Sequence, residues 1–466
     1  MKLRISDLWT WTGTIGRGAY GLWGAILFLL KHNIDRFVAY KFFGREWSVF
    51  NYLSPGGSDS VNRLHGSEVN FYGTLLFIAI PFIVAGLALT VRRLRSAELP
   101  LWLTVFFFIP IANLFFFALL AVIPARQPAV ESEKERDVKD WLGRLIPENS
   151  FGSAALALLI SVSLAAGFAQ FGVSVLQNYG WGLFVGLPFA LGLGSVLIYG
   201  YHGRRTYRSC VGVAFISTAL LGILMIAIAA EGAICLIMAA PIGFLLSWFG
   251  ASLGYTMLQR PWQRSEAPLA LFIVMLSVPA IMGAESQSSL KPPLFSVTSY
   301  VDIDAPPAVV WEHVVTFSEL PPPEELLFRV GIAYPLRAKI NGHGVGAVRH
   351  CVFSTGPFVE PIKVWDEPHL LKFSVTSNPA PMQEWTPYTT IHPPHLDGFL
   401  ASEGGQFRLI ALPGGRTRLE GTTWYRHHMW PANYWQWWSD YIIHRIHMRV
   451  LNHVKQLSEQ SGRSVK

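Results

Sequence analysis

From Asn149 to Gly203 the chain carries no Asp, Glu, Lys or Arg, and so long an uncharged run leaves few folded states open to it. A helix needs about 20 apolar residues to cross roughly 30 Å of hydrocarbon. The run therefore reads as a helical hairpin that crosses twice, with Asn178-Tyr179-Gly180 as its turn. A second hairpin is expected from Ser209 to Gln259, interrupted only by Glu231-Gly232. Leu269 to Ala284 reads as a shorter final span and Phe71 to Thr90 as an early one. Tyr20 to Val38 is also apolar, but Lys31, Asp35 and Arg36 fall in its second half and would have to snorkel to an interface.

Composition supports a division into two regions. Only 14% of the side chains are charged and 51% are apolar, against about a quarter charged in soluble proteins, so a single soluble globule is not expected. Residues 1–290 hold 21 Lys plus Arg and 15 Asp plus Glu, whereas residues 291–466 hold 16 and 15, with eleven of the fourteen histidines. The basic excess thus lies beside the hydrophobic segments, where membrane orientation accounts for it. No basic tract or motif points to nucleic acid. Cys210, Cys235 and Cys351 are too few and too scattered for a disulfide framework, and no two form a close metal-ligand pair. Lys2, Arg4 and Arg17 precede the first apolar stretch, but no small-residue cleavage site follows Leu30, so a retained first helix is expected.

Loop charges set the orientation. Arg204, Arg205 and Arg208 alternate with uncharged or acidic connections and then with Arg260 and Arg264, placing these basic loops in the cytoplasm. Arg17 and Arg92, Arg93 and Arg95 ask for the same side. Both demands are met if Leu99 to Pro124 enters and leaves on one side, broken at Pro110. That gives seven full spans, a cytoplasmic N-terminus and an external C-terminal domain, with eight spans as the alternative. Glu231, the only acid between Arg208 and Arg260, reads as a wetted turn residue before Gly232.

The first 125 residues resemble the bacterial inner-membrane domain of unknown function 805. The resemblance rests on GTIGRGAY (Gly13 to Tyr20), on Arg92-Arg93-Leu94 closing the second span, and on Trp102 and Ile109-Pro110. Thr14, Gly16 and Arg95-Ser96 depart from that family's pattern. No chemistry carries over, and its arginines are expected to anchor at headgroups. A charged connection over 126–150 and further transmembrane helices over 151–284 complete the membrane region.

After a polar tether over 285–293 the pattern changes period. Ser296 to Ile303 alternates with Val297, Ser299, Val301 and Ile303 on one face. Asp304 is placed to cap a short helix through Pro306, Pro307, Val310 and Trp311. Extended segments are expected near Leu336 to Ile340, Ala347 to Phe353, Phe358 to Trp365, Leu370 to Thr376, Gln406 to Leu412 and Thr417 to Tyr425. A final helix is expected from Ala432 to Leu457, with Trp435, Trp438, Ile442, Ile446, Val450, Val454 and Leu457 as its apolar stripe.

This order, over roughly 294–460, resembles the START-like (SRPBCC) superfamily and its polyketide cyclase/dehydrase and lipid-transport branch. Matching pieces are Val301-Asp302-Ile303-Asp304-Ala305-Pro306, Val310-Trp311, Gly344-Val345-Gly346 with Arg349, and Glu360 with Trp365-Asp366. The fold expected is therefore a multi-pass α-helical membrane region followed by an α+β helix-grip domain, a curved antiparallel sheet around a long C-terminal helix. The resemblance implies a hydrophobic ligand held between sheet and helix and fixes no reaction.

A turn at Ser354 to Pro357 would set Phe353 opposite Phe358, Cys351 opposite Glu360, and Arg349 diagonal to Glu360. The pair is either a polar handle inside a cavity or an ion pair on the outer face. The candidate ligand-binding residues are Arg349, Cys351, Phe353, Glu360, Trp424, Trp435, Trp438 and Ile442. Asn378 to Gly405, rich in Pro and aromatics, is a candidate lid. His392, His395 and Asp397 match no strong zinc spacing, and His427-His428, His444 and His447 read as interface residues, so neither metal nor cofactor is expected. The partners expected are the lipid bilayer and a hydrophobic small molecule or lipid, in a bacterial inner membrane. A cyclase or dehydrase enzyme, and a transporter with a ligand-sensing domain, are the rival readings.

Overall fold

The computed structural model describes residues 3–45, 47, 52, 66–97, 99, 101–108, 113, 116–117, 120–121, 146–259, 267–287, 292–388 and 391–464. They form two compact units: a helical one, and one that holds Lys291–Lys466 together with Ile228–Met238. The proposed break at Pro110, residues 126–145 of the charged connection, and Arg260 and Arg264 lie outside the described residues.

The helical unit contains α1 (Arg17–Phe43), α2 (Gly66–Ser96), α3 (Ser150–Gln170), α4 (Leu187–Tyr199), α5 (Tyr207–Ala227), most of α6 (Ala233–Leu258) and α7 (Ala267–Ser286). Among the described residues five helical segments are long and apolar enough to cross a membrane: Asn70–Ser96, Ser150–Val175, Gly182–Tyr199, Tyr207–Ala227 and Ala233–Leu258. Ile273–Ser286 is a shorter apolar helix. Gly182–Tyr199 is the central one, with 89% of its span buried against 28–39% for the other four. Glycine permits that: a Cβ on Gly192 would stand 2.1 Å from the Ser247 carbonyl oxygen, and one on Gly250 2.2 Å from that of Phe189. The α4 and α6 backbones touch as only small residues allow.

Two expectations are corrected in this unit. Asp35 does not snorkel; it is fully buried, pairs with Lys31 and accepts the Tyr52 hydroxyl at 2.6 Å. Arg92 and Arg93 are not headgroup anchors either. Arg92 turns inward to Asp7 Oδ1 at 3.2 Å and the Thr14 carbonyl at 3.0 Å, and Arg93, fully buried, donates to the Leu120 carbonyl at 2.8 Å. Guanidinium donors find carbonyl and carboxylate acceptors inside the fold, which removes their need for water or phosphate.

The second unit is built on seven strands: β1 (Phe295–Ile303), β2 (Pro335–Asn341), β3 (Val348–Phe353), β4 (Gly356–Asp366), β5 (Leu370–Ser374), β6 (Leu400–Leu412) and β7 (Arg416–His427). The order is β1-β7-β6-β5-β4-β3-β2 and every pairing is antiparallel. Two short helices, α8 (Pro307–Val315) and α9 (Leu326–Arg329), follow β1, and α10 (Ala432–Ser464) closes the chain. Val450, Leu451 and Val454 of α10 share one core with Val301, Ile303, Trp311, Ala338, Cys351, Ile362, Leu371 and Leu419. A curved antiparallel sheet packed on a long C-terminal helix is the arrangement expected from the order of elements. Three details differ from expectation: Pro306 rather than Asp304 occupies the cap position of α8, α10 runs on to Ser464, and the insertion ends at Leu400, where β6 begins.

Candidate functional site

Alternation decides which side chains meet the helix. In β7, Leu419 lies in the core, Thr423 Oγ1 is 2.8 Å from His447 Nε2, and Tyr425 donates to Asp440 Oδ1 at 2.6 Å, so the odd positions face α10. In β3 the same face carries Cys351 and, two residues earlier, Arg349.

The β3–β4 turn is tighter than the sequence suggested. Phe353 pairs with Gly356, leaving Ser354-Thr355 as a two-residue turn, so Cys351 stands opposite Phe358 and Arg349 directly opposite Glu360. Gly356, at φ +142°, begins the new strand in a conformation that L side chains rarely adopt. Arg349 and Glu360 are 1% and 6% exposed and are joined by a hydrogen-bonded ion pair. The outer-face alternative is therefore excluded. Arg349 Nε also donates to the Val315 carbonyl at 3.3 Å, and its guanidinium lies 5.5–5.6 Å from the ring centres of Phe317, Phe373 and Phe407. Burial pushes the Glu360 carboxyl up, offset in part by the Arg349 charge beside it. Burial pushes the Cys351 thiol up to about 12, with the Glu360 charge adding to the rise, which disfavours the thiolate.

The other candidate residues do not all join this pair. Phe353 packs edge-on to Phe358 at 4.8 Å at the turn end of the hairpin. Trp424 has the opposite parity to Leu419, Thr423 and Tyr425 and lies under Lys372 on the far face, so it is corrected out of the helix-facing set. Trp435, Trp438 and Ile442 do belong to α10, and Trp435 and Ile442 are buried. A helix rises 1.5 Å per residue, so Trp438 stands about 18 Å along the axis from Val450, which packs in the Cys351 core. They belong to the other end of the sheet, where Ile443 packs with Phe295 and Tyr425. A half-buried histidine is found there too. His447 sits between Ser299 Oγ at 3.2 Å and Thr423 Oγ1, and burial, with His444 adding to it, holds it down at about 4.

A second polar cluster was not foreseen. Glu231 is 7% exposed and no wetted turn residue; its carboxylate lies 3.1 Å from His395 Nδ1. The other His395 nitrogen is 3.3 Å from Glu384. Glu384 also accepts the backbone N–H groups of Ile234 and Cys235 at 3.1 and 3.2 Å, satisfying the first turn of α6. Burial would lower the His395 pKa, but the two carboxylates overcome it and raise it to about 9. His392 and Asp397, the near sequence neighbours of His395, form an exposed pair of their own at 2.9 Å. The only local signal was Glu231-x-x-x-Cys235, one helical turn of spacing, and its complement lies some 150 residues further on.

Among solved structures, this chain is similar over part of its length to the protein XoxI from Bacillus cereus (14% identity, 36% of this chain and 96% of that one, TM-score 0.24). The Zhui aromatase/cyclase from a Streptomyces strain (15%, 37% and 96%, 0.24) and a point mutant of norcoclaurine synthase from Thalictrum flavum (12%, 37% and 99%, 0.25) are similar to the same degree. No protein-family model matches, and no curated protein does.

Proposed function

We propose that the chain is a membrane-anchored binding protein whose START-like unit holds a hydrophobic small molecule or lipid against the helix-facing side of its sheet, with Arg349 and Glu360 as the polar handle. The anchor would be the apolar helices, and the loop charges favour a cytoplasmic N-terminus with Lys466 on the other side. The observation that carries the reading is a guanidinium–carboxylate pair sealed among Phe317, Phe373 and Phe407. Such a pair is a poor source of stability, because the desolvation of both ions is repaid only in part, and apolar residues of the same volume often serve as well. A pair of that kind is better accounted for as a device that orients a polar head group on an apolar body.

The test is native mass spectrometry of the detergent-purified full chain, with identification of bound lipid, on the wild type and on Arg349→Met/Glu360→Leu. The double substitution removes both charges together and so avoids stranding one. The expected result is a stoichiometric co-purified molecule in the wild type, lost from a folded double variant. A bound molecule held equally well by both proteins, or none in the wild type, sinks the reading. A fusion pair at Lys466 tests the side: alkaline phosphatase activity with a dark fluorescent fusion is expected, and the reverse pattern contradicts the orientation.

A further inference from the structure

The three donors brought together at the start of α6 belong to three ligand classes. Glu231 offers a carboxylate, Cys235 a thiol and His395 an imidazole; all three are buried, and one ligand atom from each lies within 4.8 Å of the others. They are 7%, 4% and 5% exposed, inside the compact unit that contains both Ile228–Met238 and the sheet. Donors around a tetrahedral zinc ion stand roughly 3.3–3.8 Å apart, given Zn–S near 2.3 Å and Zn–N near 2.0 Å.

The backbone around the cluster is already fixed. Glu384 accepts from Ile234 N–H and Cys235 N–H, and Ala233 N–H donates to the Trp385 carbonyl at 2.9 Å. Gly232 leaves no space there, since a Cβ would come within 2.1 Å of Glu384 Oε2. On the other side of the loop, Gln383 N–H donates to the Gly331 carbonyl at 2.8 Å and Ala333 N–H to that of Pro381 at 3.0 Å. Glu384 in turn stands 3.3 Å from His395 Nε2, which leaves Nδ1 on the Glu231 side. A carboxylate holding the far nitrogen of a histidine is how metal-ligating imidazoles are oriented.

We propose that Glu231, Cys235 and His395 are three protein ligands of a zinc ion, with Glu384 as the positioning residue behind His395. The thiolate excludes calcium and magnesium, which take oxygen ligands, and the mixed oxygen, nitrogen and sulfur set suits a borderline divalent ion. The site is independent of the Arg349–Glu360 reading and stands or falls without it.

The experiment is a Co²⁺ titration of tag-free, chelator-stripped full-length protein in detergent. Saturation at one equivalent is expected, with visible bands of tetrahedral Co²⁺ and a thiolate-to-cobalt charge-transfer band in the near ultraviolet, all displaced by Zn²⁺. Cys210→Ser/Cys351→Ser, in which Cys235 is the sole thiol, should keep the charge-transfer band, and Cys235→Ser should abolish it. Glu384→Gln should retain the band while binding roughly 10–100-fold more weakly. A wild type that takes up no saturable Co²⁺ overturns the proposal. So does a charge-transfer band that persists in Cys235→Ser, or one absent from the Cys210→Ser/Cys351→Ser variant; that variant decides the matter even if Cys235→Ser fails to fold.

Discussion

Arg349–Glu360 and the Glu231–His395–Glu384 cluster are both sealed polar groups in the same compact unit, yet they are built on opposite principles. The first is local: two adjacent strands place one cation against one anion, and rings enclose them. The second is assembled at long range, from the first turn of α6 and a loop far along the chain, with donors of several kinds. A one-to-one pair is neutral overall and can orient a dipolar or charged head group without drawing an ion, whereas a mixed set around a pinned imidazole has capacity for a cation.

The largest effect should come from breaking the closed pair. Arg349→Met leaves Glu360 buried without its cation, and loss of one partner of a buried ion pair costs about 3–5 kcal/mol. Denaturant unfolding of the full chain, followed through the β-rich signal, should show that loss, and Arg349→Met/Glu360→Leu should recover most of it. If the single and double variants unfold alike, the carboxylate reaches water and the pair is not closed.

Next comes a histidine held by hydroxyls rather than carboxylates, the opposite environment to that of His395. His447 is lowered from 6.5 to about 4, so between those values the unfolded chain binds a proton that the folded one refuses. Its contribution to stability is present above pH 6.5 and is lost as the pH falls towards 4, by about 1–3 kcal/mol, with the lower part of that range favoured for a half-buried ring. Unfolding midpoints measured across that window should fall with pH, and His447→Gln should flatten the slope. An unchanged slope in the variant would assign the dependence to other groups.

A smaller effect is expected at the neutral-to-charged bond that ties β7 to α10. Tyr425→Phe removes the hydroxyl donated to Asp440, which keeps Gln436 as a donor at 3.2 Å, so the cost should be about 1–2 kcal/mol. A loss as large as that of Arg349→Met would mean that Asp440, too, behaves as a stranded charge.

The contrast between the two clusters also explains what could be read in advance. Alternation in Ser296 to Ile303, the Pro306-Pro307 helix start and the long stripe through Val450 and Val454 are local patterns, and each led to the corresponding element. The register of β3 on β4 differs by two residues from the one that Gly356-Pro357 predicts as turn residues, since in the fold they open β4. Arg349 and Glu360 were nevertheless brought together, since a hairpin keeps near neighbours near. The cluster at Glu231 had no such protection. A lone acid beside a glycine gives no hint that His395 will turn away from His392 and Asp397 to meet it.

The smallest effect should be at Trp424, where residue type and place point in different directions. A large aromatic in a ligand-binding fold invites assignment to the binding face, but its parity in β7 sets it against Lys372 on the other side of the sheet. Trp424→Leu removes a cation–π contact at a partly exposed position, worth about 0.5–1 kcal/mol, and should leave any co-purified molecule in place. The comparison that matters is with Phe373→Leu, which is 9% exposed and rings Arg349. If the molecule is lost from Trp424→Leu and kept by Phe373→Leu, the ligand lies on the far face and the Arg349–Glu360 pair is structural only. If Phe373→Leu alone releases it, the helix-facing side is the binding side, and the sheet's alternation has sorted function from scaffold.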